Sequence, residues 1–338
     1  MARVLQQLRR ASTAAASEAS CLTEGTRFGP FIIGRRLGKG HFGTVHEAVH
    51  CSSLEPVAIK VERLDASSRR PPKLPVEAAV YRDLEAAPGF ARLRWFGRAH
   101  GHLALVIDRL GPSLRTAHRM AGMRLELGDV GSVAEQTLQR LEEMHSRGWL
   151  HGDLKPANLL LPAAAAGLRA GRDAAEVASR ERIAEGLFCI DFGLSRGWAE
   201  PPLPPQHSPP PSSPPSPPSA PPPSPRRRGP TGTVRFASVA NHEGEPLGRR
   251  DDLEALAYML VFLRTGKLPW SELKAPTKPE RFARMLDCKR VTTAAELGAG
   301  FASPTAFAEY MRGVRALRRL DRPDYAGFRG LLREACAR

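Results

Sequence analysis

The sequence lacks any long apolar segment that is free of charge. No such run approaches the ~20 residues that a membrane-spanning helix needs, so the sequence predicts no membrane-crossing helix. The first twenty residues hold Arg3, Arg9 and Arg10 among many Ala and Ser, and their first acid is Glu18. This composition is a weak match to a transit peptide, and we expect residues 1–27 to form a disordered tail instead.

Cysteine is scarce, with 5 in 338 residues, and no two of them form a Cys-x-x-Cys pair. An odd, scattered set argues against a disulfide framework and against a structural zinc site. We therefore expect a reducing compartment, which is the cytoplasm, the nucleus or both. The cysteines are Cys21, Cys51, Cys189, Cys288 and Cys336.

Acidic residues are outnumbered, because 35 Asp and Glu stand against 50 Lys and Arg, giving a formal net charge of +15. Such a balance favours anionic partners, which include nucleic acid, a lipid surface, and acidic or phosphorylated protein. The basic residues form no single long tract, which argues against a nucleic-acid partner.

The chain does contain an ordered series of strand and helix patterns. From about residue 28 to residue 61, short apolar runs alternate with Gly-rich turns, which is typical of β-strands. Later segments carry apolar residues at helical spacing, and Asp129 is the expected N-cap of the longest one. We predict strands at 31–33, 44–49, 57–61 and 103–107, and helices at 74–86 and 129–147. Strands first and helices later predict an α+β fold with a small β-rich lobe and a larger, mainly helical lobe.

Two segments interrupt this order. Residues 162–186 are rich in Ala, Arg and Glu, and could form a surface helix or stay mobile. Residues 201–225 hold 15 of the 31 prolines, interleaved with Ser, a composition that cannot build a core. Chemically matched segments flank both, so we interpret them as insertions within one domain.

Residues 38–43 read Gly-Lys-Gly-His-Phe-Gly and form a glycine-rich loop between two predicted strands. Glycines let backbone N–H groups approach a polyphosphate without a Cβ clash. The alternative is a plain Gly-rich hairpin turn. A loop between strands argues against a dinucleotide-binding loop, because that loop opens a helix.

The stretch Val57-Ala58-Ile59-Lys60 ends a predicted buried strand with a lysine. An unpaired buried ammonium is costly, so Lys60 needs anions. The phosphates of ATP and the carboxylate of Glu77, on the following helix, would supply them. The alternative is a strand lysine whose ammonium reaches solvent.

The most specific signal is residues 151–158, which read His-Gly-Asp-Leu-Lys-Pro-Ala-Asn. Asp153 can accept the hydroxyl proton of an attacking substrate, and Asn158 can hold a magnesium ion. Lys155 can neutralise a moving γ-phosphoryl group. Asp191 begins an Asp-Phe-Gly tripeptide after an apolar run, where it can ligate the magnesium that bridges phosphate oxygens.

These signals follow one another in a fixed order, each in the local structure that its chemistry needs. Together they resemble the signature of eukaryotic protein kinases. The resemblance implies ATP and Mg²⁺ as cofactors and a bilobal kinase fold. Its N-lobe would be at about 28–107, its hinge at 108–111 and its C-lobe at 112–338.

Later motifs resemble a narrower group, the casein kinase one superfamily of serine/threonine kinases. They are Leu-Gly-Pro-Ser-Leu at 110–114, Thr-Gly-Thr-Val-Arg-Phe-Ala-Ser at 231–238, Arg-Arg-Asp-Asp-Leu-Glu at 249–254, Leu-Pro-Trp at 268–270 and Arg-Pro-Asp-Tyr at 322–325. Gly152 departs from the Arg usual in casein kinases, and the related vaccinia-related kinases carry Gly there.

The resemblance implies roles for the matching positions. Ile107 would be the gatekeeper behind the adenine. Thr233 would contact Asp153 and Lys155, which favours Ser/Thr over Tyr substrates, and Asp252 would anchor the catalytic loop. The ATP site would comprise Leu37, Gly38, Lys39, Gly40, Gly43, Val45, Ala58, Lys60, Glu77, Ile107, Asp108, Leu110, Leu160 and Asp191. The catalytic set would be Lys60, Asp153, Lys155, Asn158 and Thr233, with Asn158 and Asp191 as metal ligands.

A substrate preference follows from charge, if the family architecture holds. Arg235, Lys274 and Lys278 would then lie near the substrate groove, together with Arg249 and Arg250. Such a cluster attracts carboxylates or phosphate, so we expect acidic or already phosphorylated protein substrates. For each residue the alternative is a solvated surface charge.

Three departures from the usual kinase pattern bear on regulation. Gly152 supplies no guanidinium to bind a phosphorylated activation-loop residue, so we expect activity without such phosphorylation. Ala240 stands where most kinases have Glu, which predicts weaker anchoring of that segment. Pro222, Pro225 and Arg227 fit a PxxPxR ligand of SH3 domains, and the alternative is a tolerated surface insertion.

A second function class stays open, namely a pseudokinase scaffold that shares the fold and recruits partners without chemistry. Loss of one or more catalytic residues is the usual mark of that class. Lys60, Glu77, Asp153, Asn158 and Asp191 are all present, so the sequence favours an active kinase.

Overall fold

The structure, a computed structural model, describes residues 22–40, 43–64, 71–163, 180–198 and 229–337. The Pro-rich insert at 201–225 lies outside these ranges, and so do residues 164–179 of the first insert. Within the described ranges, no helix is both long enough and apolar enough to cross a bilayer.

The first part of the chain forms a six-stranded antiparallel sheet in the order β1-β2-β3-β4-β6-β5. Its strands are β1 Arg27–Phe28, β2 Phe31–Gly40, β3 Gly43–His50, β4 Pro56–Arg63, β5 Leu93–Ala99 and β6 His102–Asp108. Two short ladders follow, in which β7 Trp149–Leu150 pairs with β10 Arg196–Gly197 and β8 Leu159–Leu160 pairs with β9 Phe188–Cys189. The strands predicted at 31–33, 44–49, 57–61 and 103–107 are confirmed, whereas β5 was not predicted.

Alternation along the strands gives the large sheet two different faces. Ile59 and Val106 belong to a buried cluster that covers one face. Ala58, Lys60 and Ile107 alternate with them, and the register pairs Ala58 with Ile107. These three side chains therefore lie on the opposite face, which is the face that carries the predicted nucleotide residues.

The N-lobe includes residues before the boundary predicted at residue 28, and residues 1–21 of the predicted tail lie outside the described residues. Arg27 pairs with Ile32 across β1 and β2, and the Gly25 N–H donates to the Ile33 carbonyl at 2.8 Å. Leu22 packs against the apolar cluster of the sheet. Residues 22–27 are thus part of the lobe, because apolar burial and backbone pairing extend to the start of the described chain.

The helices occupy the larger lobe, apart from the first, which packs against β5 and β6. They are α1 Leu74–Asp83, α2 Leu114–Met120, α3 Leu127–Ser146, α4 Arg180–Glu185, α5 Val239–Glu243, α6 Arg249–Thr265, α7 Lys278–Val291, α8 Ala294–Gly298, α9 Pro304–Ala316 and α10 Tyr325–Cys336. Helix α6 lies at the centre of this lobe, because it is buried along most of its length and contacts both α3 and α9. The predicted α+β architecture with a β-rich N-lobe and a helical C-lobe is confirmed.

The N-cap prediction for α3 was wrong. The helix begins at Leu127, and Glu126 occupies the N-cap with extended backbone angles. Leu127 packs partly against the core, so the amphipathic pattern starts earlier than predicted. Asp129 lies in the first turn, where a carboxylate stabilises the helix N-terminus through the helix dipole.

The described end of the first insert is integrated into the larger lobe. Ile183 in α4 is fully buried, and its carbonyl accepts a hydrogen bond from the side chain of Gln136 in α3 at 2.8 Å. This part of the insert therefore forms a helix that packs on the lobe.

Candidate active site

Lys60 connects three elements of the cleft between the lobes. Its ammonium, on β4, donates to Glu77 of α1 and to Asp191 after β9, each at 2.6 Å. Burial alone would lower the pKa of Lys60, but the two carboxylates outweigh burial and raise it above the ordinary value. In the same way burial would raise the pKa of Asp191, whereas the charge of Lys60 lowers it. Because only 14% of the Lys60 side chain is exposed, a solvent-reaching lysine is excluded.

Helix α1, which carries Glu77, is held at both of its ends. The Glu62 carboxylate on β4 accepts the backbone N–H groups of Lys73 and Leu74, each at 2.9 Å, so a side chain of the sheet satisfies free donors at the helix N-terminus. At the other end, the Asp83 carboxylate accepts the indole N–H of Trp149 at 2.7 Å. These contacts fix the helix between the two lobes with Glu77 against Lys60.

The catalytic loop brings Asp153, Lys155 and Thr233 together. Lys155 Nζ donates to Asp153 Oδ2 at 2.5 Å and to the Thr233 hydroxyl at 3.2 Å. The Thr233 N–H donates to Asp153 Oδ1 at 2.6 Å. Both carboxylate oxygens are thus oriented by neighbours, and Thr233 makes both of the contacts predicted for it.

Asn158 and Asp191, the predicted metal ligands, are linked through the backbone. The Asn158 carbonyl accepts the N–H of Ile190, which directly precedes Asp191, at 3.0 Å. The Asn158 side-chain NH₂ donates to the Asp153 carbonyl at 3.0 Å, which leaves the amide oxygen for a metal. One carboxylate and one amide oxygen suit Mg²⁺, because this ion takes few protein ligands and completes its shell with water and substrate phosphates.

A column of rings joins helix α1 to the catalytic loop. The Tyr81 and Phe192 ring centroids lie 4.8 Å apart, and those of Phe192 and His151 lie 5.7 Å apart, both edge to face. At its base, Asp252 of α6 accepts the N–H groups of His151 at 2.8 Å and Gly152 at 2.9 Å. The aromatic residue of the Asp-Phe-Gly turn is therefore packed between α1 and the loop.

Asp252 is the anchor that the sequence predicted for the catalytic loop. Burial alone would raise its pKa, but the hydrogen bond with His145, at 3.0 Å, the charges of His145 and His151, and the Gly152 N–H lower it. The carboxylate is therefore charged at neutral pH, and charge strengthens the backbone hydrogen bonds that it accepts.

Two glycines are required by the geometry around Asp153. Gly152 has φ of +74°, and a Cβ there would lie 2.8 Å from the Leu194 carbonyl oxygen. Gly232 has φ of +79°, and a Cβ there would lie 2.9 Å from the Asp153 carboxylate. The sequence indicated Gly152 only as a missing guanidinium, whereas the structure adds a backbone reason for glycine at this position.

The predicted ATP residues of the sheet lie on the strands that border the cleft. Val45 on β3 pairs with Gly38 on β2 and with Lys60 on β4. His41 and Phe42, within the glycine-rich sequence, lie outside the described residues. Leu37, Gly38, Lys39 and Gly40 belong to β2, Gly43 and Val45 to β3, Ala58 and Lys60 to β4, and Ile107 and Asp108 to β6.

The remaining residues predicted to contact adenine come from the hinge side. Leu110 is buried in the core of the larger lobe, and Leu160 packs against the same core. The Asp108 carboxylate is engaged by the Arg92 N–H at 2.9 Å and by Arg94 at 2.5 Å. Because this side chain has protein partners, a contact of Asp108 with adenine would be made by its backbone.

A basic cavity of about 330 Å³ opens beside the catalytic loop, and Lys155 is one of its lining residues. The cavity is also lined by Arg235, by Arg115 of α2 and by Arg281 of α7. Burial lowers the pKa of Arg235, and the positive charges of Arg115 and Arg281 lower it further. Within the described part of the chain none of these three guanidinium groups has an ion-pair partner, so their mutual repulsion would be relieved by an anion.

Sequence reasoning found Arg235 but missed Arg115 and Arg281. Arg281 could have been found from Lys278, because residues three apart on a helix share a face. The position of Arg115 depends on how α2 packs near α7, for which the sequence gives no local signal.

The predicted substrate-facing lysines are only partly brought to this cavity. Lys278 Nζ lies 5.6 Å from the ring centroid of Phe282, and that ring lines the cavity. Lys278 is therefore at the rim. Lys274 is exposed and does not line the cavity.

The prediction for Arg249 and Arg250 was wrong. The Arg249 guanidinium lies 3.8 Å from the ring centroid of Trp198 and donates to the Leu320 carbonyl at 2.8 Å. Arg250 pairs with Glu245 at 2.5 Å. Both residues have structural partners because they open the central helix α6, whose start is packed against neighbouring segments.

A family model for the protein kinase domain matches residues 31–297, which is most of the chain. The chain therefore belongs to the protein kinase family. Membership implies a kinase that uses ATP with a divalent metal and acts on protein substrates, for which the cleft described above provides the side chains.

Proposed function

We propose that the protein is an active serine/threonine kinase related to the casein kinase one superfamily, with ATP and Mg²⁺ as cofactors and acidic or pre-phosphorylated proteins as substrates. The observation that carries this proposal is the contact of Asp153 with both Lys155 and Thr233 at the floor of the cleft. A pseudokinase scaffold is disfavoured, because the complete polar set is present and mutually bonded.

The reaction assigns one task to each side chain. Asp153 accepts the proton of the substrate hydroxyl, and Lys155 stabilises negative charge on the transferring phosphoryl group. Lys60, oriented by Glu77, binds the non-transferred phosphates. Bound Mg²⁺, held by Asn158 and Asp191, would supply neutralisation of charge on the phosphate oxygens.

Preference for Ser or Thr rests on Thr233. Its hydroxyl lies 3.2 Å from Lys155 Nζ, and its N–H donates to Asp153, so the substrate-facing segment lies directly against the catalytic base. A short acceptor side chain reaches Asp153 over this segment, whereas a phenol would hold the substrate backbone several ångströms farther away.

Preference for acidic or phosphorylated substrates rests on the basic cavity. Three guanidinium groups, those of Arg115, Arg235 and Arg281, line its wall next to Lys155. Guanidinium groups bind carboxylate and phosphate through paired N–H donors, so a negative substrate residue near the target hydroxyl would be favoured.

Peptide selectivity tests the proposal. Matched peptides with acidic, phosphoserine or basic residues around one Ser would be compared at physiological salt, with Tyr in place of Ser as a further arm. We expect kcat/KM on acidic and phosphoserine peptides to be about tenfold or more above that on the basic peptide, since each charge-assisted bond contributes about 1.5–3 kcal/mol.

Arg235→Gln and Arg281→Gln should reduce that ratio, and Arg119→Gln, on the exposed end of α2, should not. Equal rates on acidic and basic peptides, or a preference for Tyr, would contradict it.

Activity without activation-segment phosphorylation is also proposed, since Gly152 offers no cation to such a phosphate. Phosphatase treatment should leave the transfer rate unchanged. A loss of activity that an upstream kinase restores would contradict this part.

Two further expectations concern partners and location. The SH3 ligand pattern at Pro222, Pro225 and Arg227 lies outside the described residues. We propose an SH3-type partner there and a cytoplasmic or nuclear location. Titration of an SH3 domain with a peptide of residues 218–229 tests the first, with Arg227→Ala as the control peptide.

A further inference from the structure

Lys289 is a lysine that the reaction does not use and that is nonetheless completely buried. It lies near the end of α7, with 0% of its surface exposed. Its ammonium donates to the backbone carbonyls of Val234 at 2.8 Å and Ala237 at 2.5 Å. In the described part of the chain these carbonyls are its hydrogen-bond partners, and no carboxylate forms an ion pair with it.

Two aromatic rings complete the surroundings of this ammonium. Lys289 Nζ lies 5.3 Å from the centroid of the Tyr258 ring and 5.2 Å from that of the Trp270 ring. A cation beside two ring faces, shielded from water, gains electrostatic stabilisation that partly offsets the cost of its burial. Burial of a whole lysine against backbone carbonyls points to a function for the segment that supplies those carbonyls.

That segment is residues 233–237, which contribute Thr233 and Arg235 to the candidate site. Trp270 adds a third contact, because its indole N–H donates to the Arg235 carbonyl at 2.8 Å. Lys289 and Trp270 together therefore donate hydrogen bonds to three backbone carbonyls of residues 233–237.

The position of the catalytic side chains depends on this stretch. Val234 directly follows Thr233, whose N–H and hydroxyl contact Asp153 and Lys155. With the carbonyls of residues 234, 235 and 237 directed into the lobe, the Arg235 side chain is left to line the basic cavity. Loss of the Lys289 contacts would make residues 233–237 more mobile and would leave the residues on the nucleotide side of the cleft unchanged.

Further hydrogen bonds hold the segment that follows, although Ala240 supplies no polar side chain there. The Ser238 hydroxyl donates to the Asp251 carboxylate and caps α5 by accepting the Asn241 N–H at 2.9 Å. The Asn241 side chain bonds both the N–H and the carbonyl of Thr231, at 2.9 and 3.0 Å. The segment for which Ala240 predicted weaker anchoring is thus bonded by these side chains and by Lys289.

We propose that Lys289 is a positioning residue that holds the substrate-recognition segment, residues 233–237, against the catalytic loop. The inference rests on the proposed kinase function for its kinetic consequence, but its structural consequence is independent of catalysis. Lys289, a buried side chain of α7, would then affect the binding of protein substrate and would not affect the binding of ATP.

The test compares Lys289→Met, which keeps an unbranched side chain only one atom shorter and removes the charge, with Lys289→Arg, which keeps a cation. Lys267→Met, an exposed lysine after α6, is the matched control. Initial rates with casein give KM for protein and for ATP. Hydrogen exchange, followed by mass spectrometry, reports peptides covering 231–238 and, for comparison, β4.

We expect Lys289→Met to raise KM for casein about tenfold or more while KM for ATP stays within about twofold of wild type. Exchange should become faster in 231–238 and stay unchanged in β4. Lys289→Arg should recover part of both effects, and Lys267→Met should match wild type.

Two results would overturn the proposal. One is wild-type exchange in 231–238 for Lys289→Met. The other is an equal rise of both KM values with faster exchange throughout the chain, which indicates a general stability role. If wild type itself transfers no phosphate, the proposed function fails, and the exchange data alone then decide the role of Lys289.

Discussion

Asp191 is held at φ of +67°, a left-handed conformation that costs energy for any residue other than glycine. This conformation lets the Asp191 carboxylate accept a hydrogen bond from Lys60 at 2.6 Å while Phe192 packs against Tyr81, and these contacts offset the cost. Residue 152 on the catalytic loop also adopts a left-handed backbone conformation. Because this residue is glycine, the conformation causes no strain there. Single backbone conformations thus set the positions of the charged side chains.

Gly152→Ala should destabilise the protein and slow phosphate transfer. The left-handed backbone costs an alanine roughly 1–2 kcal/mol, and the contact with the Leu194 carbonyl adds to it. Gly122 has a similar φ of +69° with nothing within 4 Å of an added Cβ, so Gly122→Ala isolates the backbone cost. Urea denaturation and kcat measure both effects. Equal losses of stability in the two variants, with kcat retained in Gly152→Ala, would contradict the steric account.

Helices α1 and α7 hold opposite sides of the site. Helix α1 is fixed by Glu62 of the sheet and by Trp149 of the larger lobe, so it presents Glu77 to Lys60 within the chain itself. Helix α7 supplies Lys289 beneath the substrate segment. We therefore expect changes that loosen α1 to raise KM for ATP, and changes that loosen α7 to raise KM for the protein substrate.

Glu62→Gln should weaken the hold on the start of α1. A neutral amide oxygen accepts backbone N–H groups less strongly than a carboxylate, by about 1 kcal/mol, so the Lys60–Glu77 pair should form less often. We expect KM for ATP to rise several-fold with KM for protein substrate little changed. Glu85→Gln, an exposed residue after the same helix, is the control, and an unchanged KM for ATP in Glu62→Gln would contradict the prediction.

The buried side-chain amino group of Lys289 should also make the stability depend on pH. Burial is the main cause that lowers its pKa, from 10.5 to about 7, with Glu254 opposing and Arg315 assisting. Between these two values the unfolded chain binds more protons than the folded one, so the free energy of unfolding rises with pH. The rise from this group is at most ~1.4 kcal/mol per pH unit.

Urea denaturation at pH 7, 8 and 9 measures that dependence. The free energy of unfolding of Lys289→Met should rise less with pH than that of wild type, because methionine binds no proton in either state. Lys267→Met should keep the wild-type slope. Parallel slopes for wild type and Lys289→Met would show that Lys289 titrates normally in the folded protein.

At the scale of the whole molecule, the stems of the Pro-rich insert are fixed on both sides. Trp198 donates to the His145 carbonyl at 2.9 Å before the insert, and Thr231 is bonded by Asn241 after it. Arg196 and Thr231 approach to 3.5 Å, so the two stems lie side by side. The chain on either side of the insert is therefore held in place by contacts among described residues.

Deletion of residues 201–225 should leave kcat and KM on peptides within about twofold of wild type. Shortening the loop between the described stems from about 30 to about 5 residues changes its closure free energy by about 1.6 kcal/mol, so Tm should change by only a few degrees. Steady-state kinetics and thermal unfolding check this. A large loss of kcat in the deletion variant would assign the insert a part in catalysis.

The sequence predicted the parts of the molecule that local patterns encode. Short apolar runs, most of them between Gly-rich turns, located four strands. The motifs around Lys60, Asp153 and Asp191 located the charged residues, since their spacing reflects fixed strand–loop geometry. Arg249 was misassigned because its stacking partner, Trp198, is distant in the chain. Lys289 escaped notice because its partners are backbone carbonyls, which no side-chain pattern reveals.

The measurement that tests the account most directly is ATP/Mg²⁺-dependent phosphate transfer to casein by wild type and Asp153→Asn, with Asp287→Asn, on the exposed side of α7, as the matched control. Thermal shift with ATP verifies that each variant is folded and binds nucleotide. We predict transfer by wild type and Asp287→Asn, and a loss of about 10²–10⁴-fold in Asp153→Asn, because a general base contributes that factor. Folded wild type that binds ATP and transfers no phosphate, or undiminished transfer by Asp153→Asn, would contradict the account.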